Sequence, residues 1–326
     1  MNVIEDQNLE SMLRPQRWEE YVGQENVKKN LRLMIEAAKK RHETCDHLLL
    51  YGQAGLGKTT LAYLIAREMQ ANIKTTTGPA LEKIGDLAAI LSNLEPFEIL
   101  FIDEAHRLNK AIEEILYPAL EVRKLHLVVG KGISSRSISL DLAPFTLIAA
   151  TTKVNLLSAP LRSRFGGIFK LDYYKVSDLE KIIKRSAEIL KTEITEKAVK
   201  KLAQASRFTP RVANRLLKRC RDYVEVNNKK LIDEKVVEET LKMLEIDELG
   251  LEKIDRRLLE TLIKKFNGGP VGLKTLAAAL NEEAETIESV YEPFLISLGM
   301  IKRTSLGRLA TPLAYKHLKI NRFSLI

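Results

Sequence analysis

Three glycines followed by a lysine and two threonines give the chain its first recognisable chemistry. In residues 48–61, LLLYGQAGLGKTTL, Gly52, Gly55 and Gly57 make a tight loop that ends on Lys58-Thr59-Thr60. The pattern G-x-x-x-x-G-K-[ST] lets backbone N–H groups converge on an anion, and the helix that follows adds a dipole of the right sign. Lys58 is expected to reach the β- and γ-phosphates of a nucleotide, and Thr59 to ligate magnesium. A second group lies in 98–108, EILFIDEAHRL, where Asp103 and Glu104 close an apolar run. Asp103 is positioned to hold magnesium, directly or through water, and Glu104 to polarise an attacking water. The competing reading, an acidic cap on the next helix, loses weight downstream of a phosphate loop at this interval. A hydroxyl at the end of FTLIAATT (145–152) is placed to sense a γ-phosphate; strand alternation permits Thr151 or Thr152 but not both on one face. Arg162 and Arg164 follow in SAPLRSRFGG, and their place after a sensor strand makes one of them a candidate arginine finger. Arg211 opens a helix at Thr209-Pro210, where a cation opposes the helix dipole at a cost of about 0.3–1 kcal/mol. Its placement there implies an anion nearby, and nucleotide phosphate is the obvious one.

These groups need elements to hold them. Leu48-Leu49-Leu50-Tyr51 reads as a buried strand and Lys58 onward as a helix, LAYLIAREM. ANIKTTTG reads as a strand and turn, GDLAAILSNL as a helix, Ile99 to Ile102 as a buried strand, and 145–152 as another. Strands alternating with helices predict a parallel sheet whose ligand lies at the strands' C-terminal ends. Upstream, Val27, Leu31, Met34 and Ile35 recur at helical spacing to about Lys40, and Pro15 predicts an extended Leu13-Arg14. Arg14, close before the loop, is a candidate for the adenosine side or a plain surface arginine. Residues 125–142, LHLVVGKGISSRSISLDL, alternate around Gly130-Lys131-Gly132 as a β-hairpin. Ile138 and Leu140 share one face of its second arm, and the polar Ser134, Ser135 and Arg136 favour a projecting hairpin with an apolar, partner-binding knob.

Beyond Tyr174-Lys175 the chain becomes helical and strongly charged. Ser177 and Asp178 offer caps for one helix, TEKAVKKLAQAS forms a second, and Pro210 sits in the favoured first turn of a third. From about 248 come DRRLLETLIKKF, a GGP break, GLKTLAAAL, and a third helix interrupted around Pro293; two short strands about Gly307 follow. Three helices and a basic β-turn outline a winged helix. No acidic residue follows Glu292, while Lys302, Arg303, Arg308, Lys316, Lys319 and Arg322 are basic, so this end is expected to track a phosphate backbone.

The composition agrees with this. At 326 residues, 45% hydrophobic, the chain suits two or three packed domains, and a formal net charge of +9 favours an anionic partner such as nucleic acid. Cys45 and Cys220 are too few for a disulfide framework or a zinc site and read as small buried thiols. No apolar run approaches the roughly 18 residues of a membrane span. The acidic start MNVIEDQNLE lacks a signal sequence, so a soluble cytoplasmic protein with no membrane partner is expected.

In order along the chain, GQAGLGKTT, LFIDEAHRLNKAIEEILYPALE, GKGISSRSISLDLAPFTLIAATT, APLRSRFG, TPRVANRLLKR, GGPVGLKTLAAAL and GMIKRTSLGRLAT resemble the RuvB family of the AAA+ superfamily. Members of that family are bacterial ATPase motors of Holliday-junction branch migration. Single motifs would give only AAA+; the hairpin and the winged end make the likeness specific, and it runs from Leu13 to Leu318. The resemblance implies an α/β AAA+ P-loop ATPase domain with a parallel sheet (1–174), an all-α lid domain (175–245) and a winged-helix DNA-binding domain (246–326). It implies ATP and Mg²⁺, with Leu13, Arg14, Glu121 and Tyr174 on the nucleotide and Gly55, Gly57, Lys58, Thr59 and Thr60 in its phosphate loop. Thr59 and Asp103 then serve the metal, Glu104 the water, Thr151 or Thr152 is the first sensor and Arg211 the second, and Arg164 is the finger offered to a neighbouring subunit. The hairpin, through Ile138 and Leu140, is implied to dock RuvA; Arg303 and Arg308 match DNA-contacting positions. The implied assembly is a homo-hexameric ring on duplex DNA at a Holliday junction, with RuvA and, in the resolvasome, RuvC. Departures from the family pattern are Gln53-Ala54 for two prolines, Ala105 for Ile, Ala149 for Gly, Val122-Arg123 for an acidic–aromatic pair, and Leu306 for an Arg in the wing. A clamp-loader-like ATPase is the alternative enzyme, against which the winged end argues. A non-catalytic, ATP-switched DNA-binding regulator is the alternative from another class, against which Asp103, Glu104 and Arg164 argue.

Overall fold

The computed structural model describes residues 11–129 and 136–321. The chain divides into two compact units, one running to Ile189 and including Thr209–Asn214, the other formed by Leu190–Phe208 with Arg215 onward. The first unit is built on five parallel strands in the order β2-β3-β6-β1-β7: β1 is Leu48–Tyr51, β2 Ile73–Thr77, β3 Ile99–Asp103, β6 Thr146–Thr151 and β7 Gly167–Lys170. A parallel sheet is covered on both faces, which is why β1, β3 and β6 are almost continuously apolar and buried. Alternate side chains go to opposite faces. Leu49, Leu100, Ile102, Leu147 and Ala149 share one core with Leu87 and Leu91 of helix α3 (Ile84–Ser92) and Ile112, Leu116 and Ala119 of helix α4 (Lys110–Val122). Helix α2 (Lys58–Glu68) packs on β3 and β6 with Leu61, Leu64 and Ile65 buried, and helix α1 (Glu25–Arg41) packs on α2 with Leu31 and Ile35 buried. Tyr51, Asp103 and Thr151 therefore end neighbouring strands at one edge of the sheet.

The hairpin forms as expected from β4 (Lys124–Val129) and β5 (Arg136–Asp141), with Leu125 opposite Leu140 and Leu127 opposite Ile138. Leu125 is buried, whereas every residue of β5 is exposed, Ile138 and Leu140 included. Gly130 to Ser135, the expected tip, lie outside the described residues.

Two local expectations are corrected. Leu13 is not extended: it closes a helical turn in which Arg14 N–H donates to Ser11 C=O at 3.3 Å, because Pro15 restricts only the residue directly before it. Ser177 and Asp178 do not cap their helix, which begins at Val176; the Lys175 carbonyl accepts from the amides of Asp178 and Leu179, leaving Asp178 to favour the dipole from within the first turn.

In the second unit, helices Glu196–Gln204 and Glu234–Met243 start on side-chain caps, Thr195 accepting from Ala198 N–H and Asp233 from Val236 N–H. The C-terminal module has helices Lys253–Phe266 and Leu273–Leu280, a third helical stretch from Ala284 to Ser297, and an antiparallel pair of strands, Ile301–Thr304 and Gly307–Ala310. Its core joins Leu258, Leu262, Leu276, Ile287, Phe294, Leu295, Ile301 and Ala314. The interruption expected near Pro293 takes the form of a π-turn over Ile287–Tyr291. Pro293 has no N–H for the Ser289 carbonyl and its ring crowds that carbonyl, so the wider turn relieves both problems. Cys45 and Cys220 are buried free thiols. Among the described residues no helix is long and apolar enough to cross a membrane.

Candidate functional site

The loop between β1 and α2 is shaped to receive an anion. Gly57 is the N-cap of α2 in a left-handed conformation (φ 95°), and no side chain caps the helix, so its first amides remain open to a ligand. A Cβ on Gly57 would stand 2.9 Å from the Tyr21 hydroxyl. Arg211 and Thr209 also approach the loop, their Cβ atoms 3.0 and 3.6 Å from where a Gly55 Cβ would be. Lys58 is buried, and its ammonium donates to the carbonyls of Gly52 (2.7 Å) and Gln53 (2.8 Å). Burial, reinforced by Arg211 and opposed by Asp103, lowers its pKa to about 8. Thr60 lies one residue beyond Thr59 in the same first turn.

Thr59 and Asp103, both expected to serve magnesium, lie together: the hydroxyl donates to Asp103 Oδ2 at 3.1 Å, while Asp103 Oδ1 takes the Glu104 N–H at 2.8 Å. Glu104 is left-handed (φ 48°), a conformation that costs a non-glycine residue of order 1–3 kcal/mol and collects at functional sites. Its carboxylate is exposed and meets Arg107 only at 3.5 Å. The capping alternative fails: Glu104 precedes a short helical turn, Ala105–Arg107, but its side chain accepts no amide there, and α4 begins at Lys110 with Asn109 as its cap, accepting from Ile112 N–H at 2.9 Å. Alternation separates the two threonines. Thr151 is buried, takes the Lys153 N–H at 3.0 Å and lies 3.0 Å from His106 Nδ1, whereas Thr152 is exposed. Burial is the main cause lowering the His106 pKa.

Tyr174 is buried and donates to the Leu56 carbonyl at 3.3 Å. Leu13 is buried, with its carbonyl bonded to Arg185 at 2.9 Å. Arg14 stacks over the Tyr63 ring at 5.4 Å. Glu121 is joined to another candidate: its carboxylate pairs with Arg164 at 3.0 Å, and Arg164 lies 4.5 Å from the centre of the Tyr117 ring. Three residues here escaped the sequence reading. Tyr21 faces the loop, with a buried hydroxyl that lacks a hydrogen-bond partner of normal geometry. Thr209 lies beside Gly55, and His106 bridges from the end of β3 to β6. His106 had a signal, its place two residues after Glu104; Tyr21 had none, since only the fold brings it to Gly57.

At the other end of the chain, Arg303 and Arg308 are neighbours across the two C-terminal strands. Glu292 and Glu288, from the helical stretch before the wing, pair with both arginines, with Arg303 Nη2 2.6 Å from Glu292 and 3.2 Å from Glu288.

A parallel α/β sheet with a phosphate-type loop after β1 and a hydroxyl–carboxylate pair at the end of β3 defines a P-loop ATPase of the AAA+ class. Residues 13–171 match the Holliday junction DNA helicase RuvB P-loop domain, 174–247 the RuvB AAA lid domain and 248–319 the RuvB C-terminal winged helix domain, so the chain belongs to the RuvB family. The Thermotoga maritima RuvB Holliday junction branch migration motor is 51% identical, covering 95% of this chain and 99% of its own, with a TM-score of 0.86. An alanine-to-serine mutant of that RuvB gives 0.87 at 51% identity, and a threonine-to-valine variant 0.86 at 50%, each over 95% of this chain and 99% of its own.

Proposed function

We propose that the protein is an ATP-dependent DNA motor that drives branch migration of Holliday junctions, working as a hexameric ring on duplex DNA with RuvA and, in the resolvasome, RuvC, in the cytoplasm. The observation that carries the reading is the joining of Lys58, Thr59, Asp103 and Arg211 around one loop in a chain whose three segments all match RuvB domains. ATP lies with its phosphates over the loop amides. Lys58 exchanges two backbone carbonyls for the β- and γ-phosphate oxygens, and Arg211 adds a second cation at Gly55. The Thr59 hydroxyl and Asp103 carboxylate, 3.1 Å apart, are hard oxygen donors of the kind that would hold Mg²⁺. Mg²⁺ there supplies neutralisation of phosphate charge.

Glu104, set free of the strand by its left-handed turn, orients the attacking water and accepts its proton. Thr152 rather than Thr151 senses the γ-phosphate, since the Thr151 hydroxyl is committed to Lys153 and His106. Variants of Thermotoga RuvB have been solved with a lysine, an alanine, a threonine, an arginine and a proline replaced. The same residue types stand six positions earlier here, at Lys58, Ala150, Thr152, Arg164 and Pro210. Leu13, Arg14 and Tyr174 line the nucleoside. Arg164, held by Glu121 and Tyr117, is offered to the nucleotide of the next subunit, where a finger contributes a factor of roughly 10³–10⁵. Ile138 and Leu140 dock RuvA, and the wing holds DNA. The test is migration of a synthetic four-way junction. ATP-dependent unwinding that requires RuvA is expected; DNA-stimulated hydrolysis without migration in RuvA's presence would refute the motor.

A further inference from the structure

Arg303 and Arg308 stand directly opposite each other in the register of the two wing strands. Like charges so placed repel, and no acidic residue follows them in the sequence. The counter-charge comes from the helix before. Glu292 is fully buried; its Oε1 accepts from Arg308 Nε, and its Oε2 from Arg303 Nη2 at 2.6 Å and Arg308 Nη2 at 3.1 Å. Glu288, four residues earlier and so on the same side of the helix, reaches the same nitrogens from further off, 3.2 Å to Arg303 and 3.7 Å to Arg308.

The four groups are not equivalent. The Arg308 side chain is 11% exposed, and its backbone is bonded in both directions to Val271 (2.8 and 3.0 Å), which anchors the strand that carries it. Arg303 is 47% exposed and Glu288 49%. A half-exposed pair of this length is weak and exchangeable, whereas a phosphate offers a guanidinium two charged acceptors in the geometry it prefers.

We propose that Glu292 and Arg308 form a buried clamp that positions Arg303 as the wing's phosphate-binding group, and that Glu288 is a built-in competitor which DNA phosphate displaces. The proposal rests on reading this module as DNA-binding. It makes Arg308 a positioning residue, and it sets opposite signs on two substitutions that change the net charge identically.

The experiment is fluorescence anisotropy of the full-length protein with duplex DNA across a KCl series. Arg303→Gln should weaken binding and reduce the salt slope by about one. Glu288→Gln should tighten binding about three- to tenfold with a steeper slope, and Glu292→Gln should weaken it about tenfold or more. If Glu292→Gln fails to melt cooperatively, Arg308→Lys takes its place: it keeps the charge but loses the fork that spans both carboxylate oxygens, and weaker binding is expected. Tightening by both glutamine variants, or wild-type binding by Arg308→Lys, would overturn the clamp. A weakened Arg303→Gln beside an unchanged Glu288→Gln would overturn the competitor alone. An Arg303→Gln that binds like wild type would remove the DNA-binding reading of this face, and the proposal with it.

Discussion

His47, at the base of the sheet, makes a sharp prediction about acid stability. Its Nδ1 accepts the Leu147 N–H at 2.9 Å, and its Nε2 lies 3.3 Å from the Leu120 carbonyl, so the neutral ring ties the start of β1 to β6 and to the last turn of α4. Burial is the main cause lowering its pKa to about 4; Arg123 adds to this and the Leu120 contact opposes it. Protonation would turn the Nδ1 acceptor into a donor facing another N–H. A histidine lowered on folding leaves the unfolded chain holding more protons between pH 6.5 and 4, so stability falls as pH falls through that window. From an unfolded value of about 6.5, linkage gives a loss of about 2 kcal/mol at pH 5 and about 3 kcal/mol at pH 4, relative to pH 7. The assay is urea unfolding at pH 7, 6 and 5, followed by the single tryptophan, Trp18, which is buried in the same unit. His47→Gln supplies the control: its amide can accept from one backbone group and donate to the other without titrating, and subtracting its profile cancels the carboxylates common to both proteins. The wild type should lose about 2 kcal/mol more than the variant between pH 7 and 5. Parallel profiles would refute the assignment of a neutral, load-carrying ring.

Gly57→Ala should weaken nucleotide binding by tenfold or more, measured with a fluorescent ATP analogue, because φ is 95° and the new methyl meets the Tyr21 hydroxyl at 2.9 Å; the left-handed backbone alone costs about 1–2 kcal/mol. Arg164→Ala and Glu104→Gln should each lose hydrolysis, and mixed rings of the two should regain part of it, since some interfaces then carry both groups; properly assembled mixtures that stay inactive would count against a finger acting in trans. Asp255→Asn should destabilise the second unit by about 3 kcal/mol in chemical denaturation, because fully buried Asp255 pairs with Arg207 and its loss leaves that charge with only the Gly250 carbonyl and the Phe294 ring, and no anion. Unchanged unfolding of Asp255→Asn would show that the pair contributes no net stability.

The parts of the site that sequence made legible are those whose ligand dictates backbone. A phosphate needs converging amides, so Gly52, Gly55 and Gly57 must stand in a fixed interval before Lys58, and that interval survives in any fold that uses it. The carboxylate pair at the end of β3 was legible because a buried parallel strand announces itself as an apolar run and ligands collect at its C-terminal end. Alternation predicted that the two threonines would part company, and they do; which of them keeps a committed hydroxyl depended on His106, placed by a short helical turn that the sequence does not signal. Tyr21 was invisible for the same reason, since a tyrosine 36 residues before Gly57 reaches it only through tertiary packing.

Charge was the least legible quantity, and the wing shows why. Counting signs after Glu292 gives an uninterrupted basic tail, yet the field at Arg303 is set by neighbours in space, and the nearest are carboxylates at 2.6 and 3.2 Å from the preceding helix. Arg164 repeats the lesson: paired with Glu121 at 3.0 Å and stacked on Tyr117, it is held by its own chain. A cation that must act on phosphate cannot wait unrestrained, because fixing a free arginine costs about 2 kcal/mol of rotamer entropy at the moment of binding. On the proposed readings, a carboxylate that orients the arginine beforehand removes much of that cost: Glu121 does so for Arg164 and buried Glu292 for Arg303, while half-exposed Glu288 is the acceptor exchanged for phosphate. In both proposals the acidic partner that sequence counting treats as cancelling the charge is what aims it.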